Sequence, residues 1–108
     1  MAVLDVKHEE TASLLEELPG EGHLCVTGNA GVEEDVRSFA EKVLECFGCV
    51  DVLVNNACIT RRGILSGCSF EEFNEVLRVG VSAPYLLSLL FRDHFSRGAS
   101  IVLSLIHI

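Results

Sequence analysis

The stretch Val50–Thr60, reading VDVLVNNACIT, sets two side-chain amides, Asn55 and Asn56, directly after a run that is apolar except for Asp51. Five residues dominated by β-branched side chains and stopped abruptly by polar ones have the pattern of a short buried strand. In an open parallel sheet, ligands lie beyond the carboxyl ends of the strands, where side chains and freed backbone groups can face a bound molecule. Chemistry is therefore expected at Asn55 to Cys58. A second polar group at a strand end is Asp5, which closes the apolar run Ala2-Val3-Leu4. A third constellation, Cys46-Phe47-Gly48-Cys49, has redox or zinc spacing. Cys46 falls near a helix C-terminus, where the dipole disfavours a thiolate, and Cys58 and Cys68 form no second close pair, so no metal site is expected.

These residues need strands to hold them at one end of a sheet, and the chain has the pattern for it. After Ala2–Asp5, a helix fits His8 to Leu18, with Thr11, Leu14, Leu15 and Leu18 on one face and Glu9, Glu10, Glu16 and Glu17 outside; Pro19-Gly20 ends it. His23 to Thr27 reads as a second strand, and Gly28-Asn29-Ala30-Gly31 interrupts it. A long helix follows, on which Val32, Val36, Phe39, Ala40, Val43, Leu44 and Phe47 recur at three- and four-residue steps. Glu33, Glu34 and Asp35 suit its first turn and Gly48 its end. After the Val50–Asn55 strand comes a loop with Arg61, Arg62 and Gly63. Ser69-Phe70-Glu71-Glu72 has capping-box spacing, so a helix is expected from Phe70 with Phe73, Val76 and Leu77 on its buried side. Gly80 and Pro84 predict a kink, with the helix continuing through Leu86, Leu87, Leu89, Leu90, Phe91 and Phe95 to a stop at Arg97-Gly98. Ser100-Ile101-Val102 then starts a last strand. The order β-α-β-α-β-α-β, with helices long enough for crossovers, predicts an α/β fold: a doubly wound parallel sheet with flanking helices.

Composition narrows the functions. The chain has 108 residues, 49% hydrophobic and 22% charged, an ordinary globular balance for a single domain. Acidic residues outnumber basic ones 16 to 8 and the formal charge is -8, with no basic cluster to neutralise a phosphate backbone, so no nucleic-acid partner is expected. No apolar run approaches a membrane span, and MAVLDVKHEE lacks the order of a signal peptide, so no membrane partner is expected either. Five cysteines without a disulfide framework fit a reducing, cytoplasmic compartment.

Strand, Asn-Asn-Ala and a following small residue resemble the short-chain dehydrogenase/reductase family, and NNACITRRGIL resembles the loop of its sugar-alcohol and 3-oxoacyl reductases. The resemblance implies a Rossmann-like fold and a nicotinamide cofactor, with Asp5 as the acid that receives both adenosine-ribose hydroxyls. That carboxylate repels the extra phosphate of NADP, so the implied cofactor is NAD. Asn29-Ala30 falls where the family usually has Asp-Val, whose Asp accepts the adenine amino group; an Asn oxygen can accept the same bond without the charge. Asn56 and Ala57 match the contacts under the ribose and nicotinamide, and Cys58 replaces the usual Gly.

The resemblance spans Ala2 to Val102 but covers the middle of the family's fold, so the chain is read as residues 1–102 of a partial dinucleotide-binding domain, with its first strand and C-terminal part missing, and 103–108 as a non-native tail. The glycine-rich turn belonging about 20 residues before the ribose acid has no counterpart. Val26–Gly31 imitates such a turn, but Glu33-Glu34-Asp35 would face the pyrophosphate, and it is read as a strand-to-helix loop. The family's catalytic Tyr-x-x-x-Lys is also absent: Tyr85 is followed by Leu89, the only lysines are Lys7 and Lys42, and Gly80 stands where the family has a relay Asn. The expected parent is an NAD-dependent, homo-oligomeric oxidoreductase acting on a small secondary alcohol or ketone. The chain itself is expected to be catalytically silent, the competing class being a non-catalytic binding module on the same scaffold.

Overall fold

A computed structural model describes residues 1–60 and 67–104. The expected loop at Arg61, Arg62 and Gly63 and the last four residues of the expected tail lie outside them. The elements are β1 (Ala2–Asp5), α1 (His8–Glu17), β2 (Leu24–Thr27), α2 (Glu33–Phe47), β3 (Val50–Asn55), α3 (Phe70–Leu77), α4 (Ala83–Leu90) and β4 (Phe95–Leu103). The fold is α/β with parallel strands and flanking helices. β1 pairs with β2 and β3 with β4, both in parallel, and among the described residues no ladder joins the two pairs.

Register places the strand ends level. Asp5 lies opposite Thr27 and Asn55 opposite Leu103. The Gly28 N–H continues the first ladder by donating to Asp5 O at 2.9 Å, and the Ser104 N–H continues the second by donating to Asn55 O at 3.0 Å. The strand thus runs past Val102, where the sequence resemblance was expected to stop.

The core is one cluster in which Val36, Phe39, Ala40 and Val43 of α2 meet Val26 of β2, Val50 and Leu53 of β3, Ala83 and Leu87 of α4, and Phe91 just past its end. α2 forms as its pattern predicts, with acids at its positive end and Gly48 in the left-handed conformation at φ 73°, where its N–H donates to Leu44 O. α3 begins at the expected capping box, the Glu72 N–H donating to Ser69 Oγ and the Ser69 N–H to Glu72 Oε2.

Three expectations change. Instead of a simple kink, Arg78–Ser82 forms a π-turn, in which the Ala83 N–H reaches back to Arg78 O and so absorbs Gly80 and Pro84 without breaking the helix. The helix ends at Leu90 and β4 starts at Phe95, well before Arg97. Phe91 and Phe95 have helical spacing, but the buried Phe91 meets Phe95 edge-on across a short 3-10 turn, with ring centroids 6.4 Å apart. Between Phe95 and Ser100 the pairing slips, and Gly98 at φ 83° takes up the excess chain while the Ser96 hydroxyl donates to Asp51. Finally, of the side of α3 read as buried, Val76 is half-buried but Phe73 and Leu77 face outward. Phe70, Phe73, Leu77, Val81, Tyr85 and Leu89 make an exposed apolar stripe along α3 and α4, and Leu15 of α1 is exposed as well.

Ser69→Ala should cost about 1 kcal/mol of stability through the lost cap, measurable as a lower urea midpoint. Phe91→Ala removes the largest fully buried side chain and should cost roughly 3–5 kcal/mol. That is comparable with the whole stability of a small domain, so the variant should lose cooperative thermal unfolding by circular dichroism.

Candidate functional site

At the end of β1 the half-buried Asp5 turns one carboxylate oxygen onto the chain itself: Oδ1 accepts the Lys7 N–H at 2.9 Å and shapes the turn into α1. The other oxygen is the one that can accept from a ligand. Lys7, fully exposed, donates from Nζ to Glu10 Oε1 at 2.6 Å. That hydrogen bond, then the Glu10 charge, and last the Asp5 charge, raise the Lys7 pKa above its ordinary value, against a small opposing effect of desolvation. The ammonium beside Asp5 is therefore engaged by a carboxylate of its own helix.

The loop after β2 is held from three directions. The Asn29 N–H donates to Asp35 Oδ2 at 2.8 Å, the Gly31 N–H donates to Asn29 Oδ1 at 2.7 Å, and the Val32 N–H donates to Asn29 O at 2.9 Å. Two glycines allow this closeness. A Cβ at Gly28 would stand 3.0 Å from Leu4 Cδ1 and 3.2 Å from Asp35 Cβ, and one at Gly31 would stand 3.1 Å from both Asn29 Oδ1 and Val79 Cγ2. Val79 reaches the loop from the π-turn. The Val26–Gly31 segment is thus a strand-to-helix loop whose following acids serve its own backbone.

At the end of β3, Asn55 is half-buried and its Nδ2 is buried without a hydrogen-bond partner among the described residues. A buried donor left unpaired costs roughly 1–3 kcal/mol. Asn56, Ala57 and Cys58 continue past the strand and are exposed. The structure therefore brings Asp5 and Asn29-Ala30 together at the end of the first sheet, and places Asn56, Ala57 and Cys58 at the end of the second. Two further residues enter the site. Asp35 organises the Asn29 loop, and its only sequence signal is an acid in the first helical turn. Asn55, rather than Asn56, carries the buried unpaired amide. A cleft of about 340 Å³ between α2 and α4 is lined by Ala30, Gly31, Glu33, Arg78 and Tyr85 among others. It includes neither Asp5 nor Asn56, so it is not the crevice at the strand ends. Cys46 and Cys49, on either side of the Gly48 cap, are both exposed free thiols.

Parallel strands that end level, with an acid on one and a tight glycine-containing loop after the next, leave their polar groups where α/β folds hold ligands. The family model for short chain dehydrogenase matches residues 1–104. The chain belongs to the short-chain dehydrogenase family. An uncharacterized oxidoreductase of Thermotoga maritima is 35% identical over 91 residues, which is 82% of this chain and 35% of that protein. The 3-oxoacyl-acyl-carrier-protein reductase FabG of Escherichia coli is 42% identical over 65 residues, 60% of this chain and 25% of its own length. Among solved structures, an apo SCOR enzyme from Clostridium thermocellum superposes with a TM-score of 0.81 at 35% identity, covering 93% of this chain and 41% of that one. A short-chain dehydrogenase from Burkholderia cenocepacia in complex with NADP gives 0.84 at 27% identity, covering 93% and 42%. The chain thus spans about a quarter to two-fifths of the length of these short-chain dehydrogenases.

No helix among the described residues is long and apolar enough to cross a membrane. Gly31→Ala should test the packing of the loop: overpacking costs about 1–3 kcal/mol, and here the new methyl meets a hydrogen-bonded Oδ1 and a buried Val79. Gly80→Ala, whose Cβ would meet open space, is the matched control and should leave the urea midpoint within ~0.5 kcal/mol of wild type.

Proposed function

We propose that the chain supplies part of the cofactor crevice of an NAD-dependent, cytoplasmic short-chain oxidoreductase acting on a secondary alcohol or ketone. The observation that carries this reading is the Asp5 carboxylate, level with the Asn29-Ala30 loop at the ends of the paired strands β1 and β2. In it, Asp5 receives the adenosine-ribose hydroxyls, Asn29 and Ala30 flank the base, and Asn56, Ala57 and Cys58 lie toward the nicotinamide ribose. The donor set suits that ligand: one acidic oxygen is open to hydroxyl donors, and the neighbouring ammonium of Lys7 is engaged by Glu10. When bound, the dinucleotide supplies the hydride acceptor; the residues present bind and orient it.

NAD is favoured over NADP on charge. The NADP in the Burkholderia structure belongs to that protein, whereas here a second anion would meet Asp5 with no uncommitted cation beside it among the described residues. Repulsion of a half-buried phosphate supports a preference of about a hundredfold. Calorimetric titration of NAD and NADP should show it, and Asp5→Ala should bring the two affinities within a few-fold of each other; equal affinities for the unaltered chain would count against the assignment.

The chain itself is proposed to be catalytically silent. Tyr85 is exposed on α4 with Leu89, not a lysine, one turn on, so this tyrosine has no partner for the Tyr-x-x-x-Lys pair that takes the alcohol proton. Hydride transfer from a panel of secondary alcohols to NAD should be undetectable, and turnover abolished by Tyr85→Phe would overturn this. Cys58 and Gly80 favour a second reading, a non-catalytic binding module, since one puts a side chain where close backbone approach is wanted and the other removes an amide.

A homo-oligomeric assembly is supported by the exposed stripe Phe70, Phe73, Leu77, Val81, Tyr85 and Leu89. Its positions are nearly symmetric about Val79–Gly80, as a surface that pairs with an antiparallel copy of itself requires. Val81→Glu should shift the sedimentation profile toward monomer without loss of helical signal.

A further inference from the structure

We draw no further inference here: the strongest candidate, the cleft between α2 and α4 lined by Glu33, Arg78 and Tyr85 among others, carries nothing because its two charged side chains are already paired with Arg37 and Glu71 and nothing in the structure shows what fills it.

Discussion

The apolar face of α2 is what makes the two strand pairs one molecule. No backbone ladder connects β1–β2 to β3–β4 among the described residues, so their connection rests on side chains alone. Val36, Phe39, Ala40 and Val43 touch a cluster drawn from β2, β3 and α4. Burial of such residues contributes roughly 1.5–3 kcal/mol each for the larger ones, without the directionality of a ladder. Among the described residues the arrangement leaves edges of β1 and β3 without a ladder partner, the condition that invites association through strands.

The same division shapes the site. Within the first sheet, the Gly28 N–H on Asp5 O and the Asp35 clasp on the Asn29 N–H tie acid and loop into one unit. The second sheet ends in Asn55, whose buried Nδ2 has no partner among the described residues, and then in an exposed run from Asn56 to Cys58. The π-turn between α3 and α4 serves the first unit from a distance, because the extra residue in its ladder brings Val79 under Gly31. Membership of the short-chain dehydrogenase family therefore rests on the whole β-α-β frame, while the most tightly built of the strand ends is the Asn29 loop.

Much of this was legible in the sequence, because it is local. Alternating or continuous apolar runs placed the carboxyl ends of β1, β2 and β3 within a residue or two, the capping box placed the start of α3, and glycine placed the end of α2. Asn-Asn-Ala after a buried strand pointed to the family, Asp5 was found as a strand-end residue from position, and Asn29-Ala30 was singled out through the resemblance. The misreadings share one cause: periodicity reports that a residue is apolar, not what covers it. Phe91 and Phe95 have helical spacing but meet across the end of a helix, and Phe73 and Leu77 lie on a regular face that no other described element covers.

Fold class, the order of elements and the identity of the polar groups at the strand ends were determined by the sequence alone, through hydrophobic period, capping and the limited conformations of glycine and proline. Tertiary structure decided which atoms those groups offer. Only the folded chain turns Asn29 Oδ1 onto Gly31, commits one Asp5 oxygen to Lys7 and buries Asn55 Nδ2, because a hydrogen bond depends on distances between residues whose spacing along the chain carries no information about them.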